Sequence, residues 1–152
     1  MTDARFEDAS PKPLRLTAQD AEDLQVVSAL AQDAIFPAPE MRWDRTARRF
    51  AILLNRFRWE DQQPEPERVQ AVLAIEDVQA VQSDGVDRGE ADAVLSLLAV
   101  NFVPGDDGMG AVVLTLAGDG AIRIEVEVLE VLLRDVTRPY GAPSGKTPSH
   151  PE

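Results

Sequence analysis

Apolar and polar residues change their rhythm once along the chain, near Pro37, and that change divides it into a helical and a pleated part. Before the proline, Leu24, Val27, Ala31 and Ala34 recur at three- and four-residue spacing, with Leu30 beside them. That spacing makes one stripe on a helix. Thr17 followed by Asp20 reads as an acidic variant of the capping box. Asp20, Glu22 and Asp23 suit the positive end of the helix dipole. Pro37 cannot continue a helix, so the helix is expected to end near Ile35.

After the proline the period is two. Met41 to Asp44 reads as a short strand, and Arg49 to Trp59 as a strong one, apolar enough on both sides to be central. Val69 to Val81 alternates through Ala71, Leu73 and Ile75, then puts Val78 out of phase. Val94 to Val103 is a further apolar strand, and Pro104 to Gly110 a turn. Ala111 to Leu116 and Ala121 to Glu127 flank Gly118-Asp119-Gly120, a hairpin signal because Asp and Gly tolerate positive φ. Ile122, Ile124, Val126 and Val128 point one way, Arg123, Glu125 and Glu127 the other, and Leu129, Val131 and Leu133 continue in the opposite phase. Residues 126–136 also fit a helical stripe through Val126, Leu129, Leu132 and Leu133; the branched Val128 and Val131 favour the extended form.

Leu73-x-Ile75-Glu76-x-Val78 echoes Ile124-x-Val126-Glu127-x-Leu129, and both break phase just after the glutamate. A bulge or corner follows from that, and a twofold repetition of a three-strand unit is one reading, chance similarity of apolar strands the other. Polar, proline- or charge-rich stretches, Glu60 to Glu67 and Asp84 to Asp92, connect the strands. Residues 1–13 and the stretch 139–152, with four prolines and two glycines, are expected to be flexible. The expected unit is thus one α+β domain over 14–138. An N-terminal helix packs on a mainly antiparallel sheet of about six or seven strands, as a roll or partial barrel with a pseudo-repeat.

Charge alters this picture in one place. The chain of 152 residues carries a formal net charge of −12, which opposes attraction to nucleic acid and anionic membranes. Yet Arg42, Arg45, Arg48, Arg49, Arg56 and Arg58 stand within seventeen residues that hold one acid, Asp44. Arginine binds phosphate or carboxylate through a bidentate fork, so the region is a candidate anion or partner site. The alternative is neutralisation by an acidic neighbouring strand such as Glu125 to Glu127. Without lysine the patch suits duplex nucleic acid poorly.

Candidate chemistry is otherwise thin. There is no cysteine, and the single histidine, His150, lies in the proline-rich tail, so disulfides, thiolate sites and histidine triads or metal sites find no support. No cofactor or metal is expected. No stretch has the apolar core of a secretory signal, and no run is long enough to cross a membrane, so a cytoplasmic place is expected. The block Asn55-Arg56-Phe57-Arg58-Trp59-Glu60 is the most distinctive local feature. Either Arg56 and Arg58 bind an acidic group beside the aromatic rings, or Phe57 and Trp59 are core and the arginines pair with local acids.

Glu22-Asp23-Leu24, Gln32-Asp33-Ala34, Arg49-Phe50, Asn55-Arg56-Phe57 with Trp59-Glu60, Leu97-Leu98, and Ile122-Arg123 with Glu127 together make the chain resemble the bacterial domain-of-unknown-function family 2948. The resemblance runs over about Leu14 to Asp135. It implies a small stand-alone bacterial protein of alphaproteobacterial kind, and it brings no activity, ligand or catalytic residue. It groups Gln32, Asp33 and Glu60 as a polar cluster with Asn55, Arg56 and Trp59.

Three functions are therefore carried forward. The first is a non-enzymatic interaction or regulatory module that binds an acidic protein or a small anion through Arg45, Arg48, Arg49, Asn55, Arg56, Arg58 and Trp59. The second is a small-molecule-binding roll or enzyme in which Arg56 orients an anionic substrate and Asp33 or Glu60 moves a proton; paired Glu76 and Glu127 are a weaker carboxylate candidate. The third is RNA binding. The sequence leaves monomer and homodimer open.

Overall fold

The computed structural model describes residues 13–60, 67–86, 93–138 and 140–141. Most of the two expected connections and most of the two expected flexible ends lie outside the described residues. Among the described residues eleven strands and one α-helix follow in chain order: β1 (Arg15–Ala18), α1 (Ala21–Ala31), β2 (Ile35–Pro37), β3 (Met41–Asp44), β4 (Arg49–Phe57), β5 (Glu67–Ile75), β6 (Val78–Asp84), β7 (Val94–Pro104), β8 (Gly110–Leu116), β9 (Ala121–Val126), β10 (Val131–Asp135) and β11 (Tyr140–Gly141). All pairings are antiparallel. The helix-on-antiparallel-sheet class expected from the sequence is present, with more strands than the six or seven expected.

The sheet runs β1-β10-β5-β4-β2-β7-β8-β9-β6, with β3 beside β4 and β11 beside β5. Four strands make up the surplus: β1 and β2, which periodicity did not reveal, β11 at the edge of the expected flexible end, and β6, which the pattern over 69–81 joined to β5. β1 has four residues and pairs with β10. β2 has three, yet Ile35 pairs with both Asn55 of β4 and Ser96 of β7, so this short piece joins the two halves of the sheet.

β2 also explains why α1 stops at Ala31 rather than near Ile35. Asp33 takes a left-handed conformation with φ 66°, which only a few residue types adopt and which no helix continues through. Its N–H donates to the Leu97 carbonyl at 2.8 Å, and Leu97 N–H donates to the Ala34 carbonyl at 2.8 Å. Ala34 is buried in the core as expected, but outside the helix. At the other end Asp20 is the N-cap, its carboxylate accepting from Asp23 N–H at 2.7 Å. Thr17, the expected start of the capping box, lies in β1.

The core forms between α1 and the inward rows of the strands. Leu24, Val27 and Ala31 of α1 meet Leu97 and Val100 of β7, Ile52 and Leu54 of β4, and Leu133 of β10 in one buried cluster. Removing a fully buried leucine such as Leu24 to alanine in such a cluster costs about 2–5 kcal/mol.

The echoed segments meet at one place. β5 ends at Ile75 and β6 begins at Val78; β9 ends at Val126 and β10 begins at Val131. Glu76 N–H donates to the Glu130 carbonyl and Glu127 N–H to the Asp77 carbonyl, both at 3.0 Å, so the two corners are laced together. β4 pairs β5 as β8 pairs β9, and β6 pairs β9 as β10 pairs β5. Exchanging the triplet β4-β5-β6 with β8-β9-β10 leaves these pairings unchanged. Residues 131–135 are extended, which resolves the ambiguity over 126–136 in favour of the strand. At the β8–β9 turn positive φ falls on Gly118 and Asp119, at 84° and 68°, rather than on Asp119 and Gly120.

Candidate functional site

The inward row of β4 runs Phe50, Ile52, Leu54, Arg56, and that of β10 runs Val131, Leu133, Asp135. An aliphatic row that ends on a charge needs a partner for it, because an unpaired buried charge is costly. Arg56 and Asp135 supply this for each other. Arg56 Nε donates to Asp135 Oδ1 at 2.9 Å and Nη2 to Asp135 Oδ2 at 3.0 Å. On its other edge Nη1 and Nη2 donate to Glu60 Oε1 and Oε2 at 2.9 and 2.6 Å, and Nη1 also to the Phe57 carbonyl at 3.4 Å. A guanidinium has five N–H groups, and these five bonds use them all. The Arg56 side chain is 0% exposed. Burial works against its charge, but the hydrogen bonds it donates to Glu60 and Asp135 prevail and hold its pKa above the ordinary arginine value. Burial likewise opposes ionisation of Glu60, and the bonds from Arg56 outweigh it, leaving that carboxyl below the usual range.

This corrects the expectation of Arg56 as an anion-orienting residue: it has no donor left and no exposed face. Arg58 gives way for the same reason, since it is largely buried, with Nη1 donating to Glu67 Oε1 at 2.6 Å and Nε 3.9 Å from Glu60 Oε2. Glu60, between two guanidiniums with a depressed pKa, is a poor proton carrier near neutrality. Trp59 is half-buried, edge-on to Phe57 with ring centroids 4.7 Å apart. Its Nε1 donates to the Gln32 carbonyl at 2.9 Å. The block Asn55–Glu60 and Gln32 do come together, then, but Gln32 takes part through its backbone. Asp33 is buried, and its N–H donates to the Leu97 carbonyl of β7. Asn55 accepts from Arg68 Nη1 at 3.2 Å and lines a small cavity of about 160 Å³ with Ile35, Pro37 and Gln70.

The remaining arginines of the patch lie on the β3–β4 hairpin, at the surface. Arg48 Nη2 reaches Glu127 at 2.6 Å and Arg49 Nε reaches Glu76 at 2.8 Å. The acids are those of the laced corners, so the neutralising partners sit on a neighbouring element, as one alternative reading of the charge run expected. Glu76 and Glu127, offered as a carboxylate pair, each hold an arginine. Arg42 and Arg45 are exposed and, among the described residues, form no ion pair; Arg45 stacks over Trp43, its Cζ 4.4 Å from the ring centroid.

Two arginines escaped the sequence reading altogether. Arg15 of β1 and Arg134 of β10 are directly opposite each other across the strand pair. Both are exposed, and among the described residues neither has a carboxylate. They point away from the core, since Leu16 and Leu133, one position along, point toward it. The outward alternation at Arg134 was a usable signal. The pairing of β1 with β10, over a hundred residues apart, was not.

Such a molecule belongs, by fold and surface, among single-helix antiparallel-sheet proteins whose arginines divide between a buried clamp and an exposed face. Among the described residues no group of histidine, cysteine, aspartate and glutamate side chains is placed to hold a metal, and no helix is long and apolar enough to cross a membrane. The chain belongs to the family described as "Protein of unknown function (DUF2948)", which matches residues 14–150. No curated protein and no solved structure matches it.

Proposed function

We propose that the chain is a non-enzymatic interaction module that docks an acidic protein through the exposed arginines of the β3–β4 hairpin: Arg42, Arg45 and Arg48, with Arg49 beside them. The observation that carries this reading is that Arg42 and Arg45 are exposed and, among the described residues, form no ion pair, on a chain with 27 acidic residues. Arg48 is in an exposed pair with Glu127, which contributes little and exchanges readily for another carboxylate. The exchange relation between the two strand triplets supports a duplicated unit within this module. Attraction of this kind is screened by salt.

Enzyme chemistry is less well supported, because Arg56 and Glu60 hold each other. RNA binding is weaker too, since Phe57 is buried and Trp59 half-buried with its N–H engaged, leaving little aromatic face for stacking.

The test is capture from native cell extract with the wild-type chain and with Arg42→Glu/Arg45→Glu/Arg48→Glu, at low and high salt. We expect an acidic partner held by wild type at low salt, released by salt and absent from the variant. An identical captured set from both proteins would show that these arginines are not the contact.

A further inference from the structure

The outer face of the sheet, opposite the core, carries a second arrangement of arginines. Arg15 and Arg134 lie in one cross-strand row that continues into Val72 of β5 and Leu53 of β4. The next row holds Thr17, Leu132, Ala74, Ala51 and Arg42. Beyond it Arg49 and Glu76 close the far end with their 2.8 Å ion pair. Between these ends lies a groove of about 330 Å³, floored by Ala51, Val72, Ala74 and Leu132 and rimmed by Arg15, Arg134 and Arg49 with Glu76. The volume is at the lower end of those that hold a small organic molecule.

Like charges directly opposite on paired strands repel. Arg15 and Arg134 keep that arrangement in a protein of net charge −12, where a carboxylate partner would be easy to supply. An oxyanion placed between the two guanidiniums would relieve the repulsion and offer each a bidentate partner. The floor beside them is aliphatic, with Ala51, Val72 and Leu132 half-buried and no donor or acceptor side chain, so it suits an apolar body. The far end is already neutral, because Glu76 holds Arg49, and it does not call for a second negative group.

We propose that this groove is a binding site for a small amphipathic oxyanion, a carboxylate or phosphate monoester head held by Arg15 and Arg134 with a short apolar body lying on Ala51, Val72, Ala74 and Leu132. Arg49 rims this groove and Arg42 ends the row that holds Ala51 and Leu132, but the head-group pair Arg15 and Arg134 lies on β1 and β10, so substituting it leaves the hairpin arginines in place.

The test uses the full chain with hexyl phosphate, hexanoate, inorganic phosphate and hexanol as probes, followed by titration calorimetry and thermal unfolding. We expect saturable binding of hexyl phosphate or hexanoate with a raised Tm, at least tenfold weaker binding of inorganic phosphate and hexanol, and at least tenfold loss in Arg15→Gln and in Arg134→Gln. The ranking of hexyl phosphate against hexanoate then assigns the head group. Circular dichroism of the two variants should match wild type, so that lost binding is not lost folding. No saturable binding by any probe overturns the proposal. So does equal binding by the Gln variants, or inorganic phosphate binding as tightly as hexyl phosphate.

Discussion

Arg56 and Arg134 are the same residue type on the same sheet, facing opposite sides, and their surroundings could hardly differ more. Arg56 ends an inward row and spends every N–H on Asp135, Glu60 and the Phe57 carbonyl. Arg134 ends an outward row, faces Arg15, and among the described residues meets no carboxylate. The comparison teaches that arginine density along a chain says little about where an anion binds. What matters is whether the donors are already used. A saturated buried guanidinium is architecture; an exposed and repelled one is a free binding capacity.

The largest effect that could break this comparison is expected at Arg56. Arg56→Ala leaves Asp135 buried without its cation, and breaking a buried pair by removing one partner costs about 3–5 kcal/mol. Urea unfolding measures it; a loss under about 1 kcal/mol would show that Arg56 does not hold the fold. The next effect is expected at Glu60, whose side chain is 31% exposed. Glu60→Gln should cost about 1.5 kcal/mol at neutral pH, the low end for a hydrogen bond to a charged group.

The pH dependence follows from the sign of the shift. The folded-state carboxyl of Glu60 is held below its ordinary value. Its contribution is therefore fully present above the ordinary carboxylate range and disappears as pH falls through the lower, folded value. Glu60→Gln should flatten that acid limb, seen as a smaller difference between unfolding curves at neutral and strongly acid pH. The smallest effect is expected at Arg134, with the opposite sign. Without ligand, Arg134→Gln should leave stability unchanged or raise it by a few tenths of a kcal/mol, because it removes a like-charge neighbour.

β4 was plain in the sequence as an apolar run on both faces, and β8–β9 by its alternation and a turn on residues that accept positive φ. The helix stripe was equally plain through Leu24, Val27 and Ala31. Its end was not, because Ile35 and Phe36 are apolar enough for either state and are claimed by pairing with β7. β1 and β2 are too short to show a period. For the site, Glu127, which pairs Arg48, was visible within the acidic stretch Glu125 to Glu127, whereas nothing in the sequence joined Glu76 to Arg49. Asp135 carried a signal that could have been read: it shares the inward phase of Val131 and Leu133, so it had to meet a buried cation. Arg15 opposite Arg134 could not be read, because register between distant strands is fixed by packing and not by local pattern.

The most direct measurement of the division between these arginines is the nuclear magnetic resonance of their side-chain Nε–H groups during titration with hexyl phosphate. The account predicts that the Arg15 and Arg134 signals move together and saturate, while the Arg56 signal stays in place and exchanges slowly with solvent. A shift at Arg56, or no saturable shift at Arg15 and Arg134, would contradict it.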